Sequence, residues 1–219
     1  SVKSEAMVSG PPGTNRRIVA NNIHHMSNHS DKALIYVDCS SLSSESIHET
    51  LFGRSGLPNG KFHKAEGGTL FLNRITYLPK EIQDLISGYL KTATILPVSQ
   101  SKPVPLGTQL IIGIRGTPEQ AVASKRLNQD LLDLFKGKRI HIPRLSERQE
   151  DIPQIVTQLF TKYLQKYSKP GMTLHKETKN LLSEYSWPGN DRELELVMER
   201  AVLLCDHKEL TPEYLFLPS

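Results

Sequence analysis

The strongest constraint on this chain is a set of short apolar runs, separated by turns and by stretches with helical spacing. Ala6-Met-Val-Ser9, Ala33-Leu-Ile-Tyr-Val37, Thr69-Leu-Phe-Leu72 and Leu110-Ile-Ile-Gly-Ile114 have this form, and Arg139 to Ile142 reads as a short last strand. Between them, Ile18 to Met26, Leu78 to Leu90 and Arg126 to Phe135 carry helical periodicity, with Pro79 placed near a helix start. Strands joined through helices lie parallel, and a parallel sheet must be covered on both faces, so residues 1–145 are expected to form an α/β layer structure. After Pro143 the pattern changes. Ile152 to Tyr167, Lys176 to Tyr185 and Asp191 to Cys205 are helix-spaced with no strand candidate between them, and Ser168 to Gly171 and Trp187 to Asn190 are turn-forming. Residues 146–219 are therefore expected to be a small all-helical subdomain.

Several classes are excluded early. No apolar run approaches the roughly 18 residues that span a bilayer, and the N-terminus lacks the order of a signal peptide, so the expectation is a cytoplasmic chain with no membrane partner. Cys39 and Cys205 sit in apolar segments without metal-ligand spacing and read as reduced core residues. His24-His25 lacks further ligands at matching spacing, so packing or surface roles are expected and no metal site. Trp187 reads as a turn-packing residue, and Glu193, Glu195 and Glu199 as an exposed acidic helix face. The net charge of +4 suits an anionic partner such as a nucleotide or nucleic acid, although scattered surface lysines would give the same total.

The first apolar run meets Gly10-Pro-Pro-Gly-Thr-Asn-Arg-Arg17, which opens a helix. Strand, glycine loop and helix are the context of a phosphate-binding loop, where backbone N–H groups and the helix start face an anion. The spacing of Gly10, Gly13 and Thr14 fits, but the chemistry departs from it. Asn15 stands where a glycine allows close approach, Arg16 where a lysine supplies a point charge, and Arg17 where a hydroxyl holds magnesium. A guanidinium is a planar fork of donors and does not simply replace an ammonium in a tight cradle. Asn15 tolerates left-handed angles and is expected to keep the turn. On this fragment alone a plain strand-to-helix turn is an equal reading.

The second strand-end departs further. Gly67-Gly-Thr-Leu-Phe-Leu-Asn-Arg-Ile75 ends its apolar run in Asn73 and Arg74, where a nucleotide hydrolase needs one carboxylate for Mg²⁺ and another to prepare water. The cation repels the metal, and neither it nor the neutral amide accepts a proton from water, so no catalytic residue and no metal site are expected.

Together with Leu51-Phe-Gly53, Pro143 to Arg148, Glu150-Asp-Ile-Pro153, Trp187-Pro-Gly-Asn-Asp-Arg-Glu-Leu194 and the tail Leu210 to Leu215, these segments closely resemble the AAA+ domain of bacterial enhancer-binding, NtrC-like transcription regulators. The resemblance covers nearly the whole chain and implies a P-loop AAA+ α/β subdomain followed by a helical lid. It also implies a self-associating ring that uses ATP to remodel RNA polymerase carrying an alternative sigma factor. Flanking receiver and DNA-binding domains are expected outside this chain, their identity left open.

Further departures are judged at the family's motif positions. The loop that touches the sigma factor is missing, since only Arg54-Ser-Gly-Leu-Pro-Asn59 separates Gly53 from Gly60. Asn128 and Leu134 stand where arginine fingers would reach a neighbouring subunit, and Gly116 takes the place of a polar sensor, with Arg115 as an added cation beside it. Arg192 matches the lid arginine that contacts phosphate, although pairing with Glu193 or Glu195 is an equal reading.

Placing Arg16, Arg17, Arg74 and Arg115 near strand ends makes a cationic crevice where such sheets bind ligands. Guanidinium groups stack on purines and form paired hydrogen bonds to guanine, so cyclic di-GMP, bound without magnesium, fits better than Mg-ATP. The chain looks like a degenerate member of the VpsR and FleQ type, biofilm and flagellar regulators that respond to cyclic di-GMP. The expected role is a non-hydrolysing regulatory domain that senses a nucleotide and controls self-association, with RNA polymerase and DNA engaged through flanking domains. Residual ATP binding with weak hydrolysis and a ligand-free dimerisation scaffold remain as alternatives.

Overall fold

The structure is a computed structural model and describes residues 5–54, 60–98 and 102–217. In chain order the strands are β1 (Ala6–Gly10), β2 (Leu34–Asp38), β3 (Thr69–Asn73), β4 (Thr94–Ile95), β5 (Val104–Pro105), β6 (Gln109–Arg115), β7 (Arg139–His141), β8 (Thr173–Leu174) and β9 (Glu209–Leu210). The helices are α1 (Arg16–His25), α2 (Ile47–Phe52), α3 (Lys61–Lys64), α4 (Lys80–Thr92), α5 (Pro118–Ala123), α6 (Gln129–Asp133), α7 (Ile152–Lys166), α8 (Lys176–Glu184) and α9 (Asn190–Leu204). Contacts divide the chain into two compact units. One contains residues up to Gly10 and Arg16–Ile142, the other Pro11–Asn15 and the chain from Pro143 onward.

The first unit is built on a five-stranded sheet in the order β2-β3-β6-β1-β7, and every pairing in it is parallel. Successive side chains of a strand point to opposite faces, and both faces here are apolar. Ala6 and Val8 pack with Ala20 of α1, Phe71, Ile111 and Ile142 on one side. Met7, Leu70, Leu72, Leu110, Ile112 and Ile114 face the larger core with Ile82 and Ile86 of α4 on the other. Burial on both faces explains why these runs lack polar alternation. Parallel register also aligns the carboxyl ends of β1, β2, β3 and β6, with Asp38 opposite Asn73 and Gly10 opposite Arg115.

The expected helix over Arg126 to Phe135 is formed only in its middle, as α6, and a separate short helix, α5, precedes it. Thr117 starts α5 early by accepting from the Gln120 N–H at 3.3 Å, with Pro118 in the first turn. Lys125 then turns left-handed at φ 56°, which ends helical progress before Arg126.

The second unit packs α7, α8 and α9 around the fully buried Trp187, whose Nε1 donates to the Leu182 carbonyl at 2.8 Å. Contrary to the all-helical expectation, β8 and β9 form a short parallel pair that joins distant parts of this unit. Two-residue strands carry too little periodicity to be read from sequence. The acidic series on α9 is also not simply a solvated face. Glu195 pairs with Lys162 at 2.7 Å and Glu199 with Lys166 at 2.5 Å, tying α9 to α7. Glu193 accepts from the Gly189 N–H at 2.7 Å and helps start the helix. At its other end, the Lys169 ammonium satisfies the carbonyls of Val202, Leu203 and Cys205.

Both cysteines are buried and free. His24 is buried as well, its Nδ1 2.8 Å from Thr69 Oγ1, which in turn donates to Gln109. Burial, helped by His25 and His29, pushes its pKa below the ordinary 6.5. The unfolded chain therefore binds this proton more readily, so the contribution of His24 to stability is complete above pH 6.5 and is lost as pH falls below it. Thermal midpoints measured from about pH 8 down to about pH 5 should fall for the native chain and fall less for His24→Gln.

Candidate nucleotide site

In the first unit, Arg16 begins α1 directly after the loop, and its side chain turns back over the sheet. It is 8% exposed, with Nε donating to Asn73 Oδ1 at 3.2 Å and Nη1 to the Gly10 carbonyl at 3.2 Å. Burial lowers its pKa most; Tyr36 opposes that shift, while the charges of Arg74 and Arg115 add to it. Arg16 thus lies within electrostatic reach of two further guanidinium groups. Gly113 makes room for this arrangement, because a Cβ there would stand 2.5 Å from Asn73 Oδ1.

Asn73 bridges onward, its Nδ2 donating to the Tyr36 hydroxyl at 3.0 Å. Arg17 lies over the Tyr36 ring at 5.0 Å from its centroid. Arg74 takes a left-handed conformation, φ 60° and ψ 45°, and pairs with Asp38 Oδ2. The other Asp38 oxygen caps the following turn by accepting from the Ser40 N–H at 3.1 Å. Arg115 is exposed at the end of β6, and Gly116 beyond it turns at φ 83° while donating its N–H to the Gly10 carbonyl at 2.8 Å.

In the second unit the loop Pro11–Asn15 is held by the turn that starts α9. Gly13 has φ 84°, whereas Asn15 does not turn left-handed, so the tolerance expected of Asn15 is not used. Thr14 is buried, and its hydroxyl donates to the Pro11 carbonyl at 2.9 Å. Asn190, 4% exposed and left-handed at φ 55°, donates from Nδ2 to the Pro12 carbonyl at 2.8 Å and accepts at Oδ1 from the Leu145 N–H at 2.8 Å. The Arg192 N–H donates to the Gly13 carbonyl at 3.0 Å. Gly13 is required here because its Cβ would meet the Gly189 carbonyl oxygen at 2.0 Å. The Arg192 side chain is exposed, and among the described residues it forms no ion pair with Glu193 or Glu195.

Residues 1–141 match the model of the sigma-54 interaction domain, and residues 146–217 match that of the AAA+ ATPase lid domain. The chain belongs to the sigma-54 interaction domain family. It is 31% identical to the transcriptional activator HyfR of Escherichia coli over 92% of this chain and 31% of that protein. It is 29% identical to the regulatory protein LuxO of Vibrio vulnificus over 98% of this chain and 49% of that protein. The chain therefore spans only a third to a half of these relatives. Among solved structures, NtrX from Brucella abortus in complex with ATP is 26% identical with a TM-score of 0.82, covering 93% of this chain and 48% of that one. The ADP complex of NtrX superposes with a TM-score of 0.87 at 25% identity, covering 97% and 49%.

Within this sigma-54 interaction domain, the sequence-derived residues fall into two groups. Gly10, Arg16, Arg17, Asn73, Arg74 and Arg115 lie at the strand ends of the first unit, while Gly13, Thr14, Asn15 and Arg192 lie in the second. Sequence reasoning missed Tyr36, Asp38 and Asn190. Asp38 closes a parallel strand at its carboxyl end, the position where such sheets place their sites, and was legible on that ground. Asn190 gave no signal beyond its turn. Asn128, expected to stand at an arginine-finger position, bonds within the chain, its Nδ2 donating to Asp84 at 2.6 Å. Residues 55–59, where the sigma-contact loop is expected to be missing, lie outside the described residues, but Gly60 lies close to Gly53, where a Cβ would meet the Gly53 nitrogen at 2.4 Å.

Asn190→Asp keeps the acceptor for Leu145 and removes the donor to Pro12, so urea unfolding should show a loss of about 1 to 3 kcal/mol. Asn190→Ala removes both bonds and should lose more. An unchanged midpoint in the aspartate variant would show that the Pro12 bond contributes nothing.

Proposed function

We propose that this domain is a non-hydrolysing member of its family that binds an anionic nucleotide without magnesium and uses binding to control self-association in a transcription regulator. The observation that carries this reading is the buried Arg16 held by Asn73, with Arg74 and Arg115 adding positive charge around it. A hydrolase needs carboxylates at that strand end to hold Mg²⁺ and to orient water. Here an amide donates and accepts between Arg16 and Tyr36, and Asp38, the carboxylate drawn into the group, is bonded to Arg74. The same crowding of guanidinium groups favours an anion arriving without a metal.

The nucleotide whose chemistry fits best is cyclic di-GMP, with two phosphates for the cations and two guanines that pair and stack with arginine. The short Arg54-to-Asn59 connection supports activation that does not depend on the alternative sigma factor. DNA and RNA polymerase would be engaged through flanking domains. A ligand-free dimerisation scaffold is the second reading, favoured by the Arg74–Asp38 pair and the Arg16–Asn73 bond, which already occupy two of the cations.

Isothermal titration without Mg²⁺ should detect cyclic di-GMP binding, with no phosphate release from ATP under any metal condition. Arg115→Ala should weaken binding roughly tenfold, as expected for one charge-assisted contact. Arg74→Glu places a carboxylate beside Asp38 and should abolish binding. Silence with every nucleotide would favour the scaffold, and steady ATP turnover would overturn the non-hydrolysing reading.

A further inference from the structure

Resting on that proposal, we infer that the bases of the bound nucleotide are read by two tyrosine rings, Tyr36 and Tyr77, each paired with one of the arginines. Tyr36 is 36% exposed and Tyr77 is 54% exposed, high values for large rings beside a cationic strand end. Each has a guanidinium over it: Arg17 at 5.0 Å from the Tyr36 centroid and Arg74 at 5.9 Å from that of Tyr77.

The two stacks belong to one array. Tyr36 and Asp38 are two apart on β2 and share a face, and their partners, Asn73 and Arg74, are adjacent at the end of β3. Tyr77 comes three residues after Arg74, in the turn Ile75–Tyr77, where residues three apart lie side by side. The Tyr36 ring is also fixed in place: its hydroxyl accepts from Asn73, and the edge of Phe71 packs against it at 5.5 Å and 64°. Asp38 restrains Arg74 in the same way.

A planar cation against an exposed, pre-oriented ring is a surface for another planar group, since base stacking on aromatic and guanidinium faces needs no particular base edge. A metal would be repelled by the arginines, and an aliphatic or sugar ligand would make no use of the rings. Two such surfaces at the ends of β2 and β3, beside the strand-end arginines, fit an anion that carries two planar heterocycles, with its phosphates toward Arg16 and Arg115.

The test is titration of cyclic di-GMP and of inorganic pyrophosphate, both without Mg²⁺, into the native chain and into Tyr36→Leu, Tyr77→Leu and Tyr36→Phe. Each leucine variant should bind cyclic di-GMP between about fivefold and a hundredfold more weakly, the range expected for losing one stacked base. Pyrophosphate binding should not change in Tyr77→Leu, and Tyr36→Phe, which keeps its ring but loses the bond from Asn73, should bind the dinucleotide more tightly than Tyr36→Leu. Tyr77 is exposed, so its variant should keep the native thermal midpoint and remain informative if Tyr36→Leu fails to fold. Native affinity for cyclic di-GMP in Tyr77→Leu would overturn the two-ring assignment and leave the nucleotide proposal standing. Equal losses for dinucleotide and pyrophosphate would overturn it too, by showing that the rings only hold the arginines. A native chain that binds neither probe would remove the nucleotide proposal itself.

Discussion

A guanidinium buried at the end of a parallel sheet loses most of its water and persists only if fixed dipoles or charges replace that solvation. Arg16 meets this demand with the Asn73 amide oxygen and the Gly10 carbonyl, and the arrangement around it follows from those bonds. Asn73 must present its oxygen to Arg16, which turns its nitrogen toward the Tyr36 hydroxyl. Gly113 must lack a side chain so that Asn73 can lie across β6. Arg74 is directed toward Asp38 by a left-handed backbone that few non-glycine residues adopt. A place that in a nucleotide hydrolase would be organised by a metal ion and carboxylates is organised here by hydrogen bonds among side chains.

The helical unit has a comparable centre in Asn190. One amide holds the Leu145 backbone with its oxygen and the Pro12 backbone with its nitrogen, from a position that itself requires positive φ. The conformation of the loop Pro11–Asn15 is thereby set by the Trp187-to-Arg192 turn. Both centres lie within stretches that match the sigma-54 interaction domain and its AAA+ lid. The side chains that occupy the first of them are an amide and guanidinium groups, with Asp38 bonded to Arg74.

The sheet, its parallel connections and the later helices were legible in the sequence because burial on two faces leaves unbroken apolar runs and helices leave a repeating stripe. The chemistry of Asn73, Arg74, Arg16 and Arg17 was legible for the same kind of reason, since charge and hydrogen-bonding capacity are properties of the residue alone. From these, the sequence by itself determined the fold class and the residue types at the ends of β1 and β3. Which groups these side chains bond to was decided only in three dimensions. Asp38 reaches Arg74, Tyr36 reaches Asn73, and Asn190 reaches Pro12 across separations in the chain that carry no periodic or local signal. Such pairings depend on parallel register and on backbone angles at a few left-handed positions, which residue type permits and tertiary packing selects.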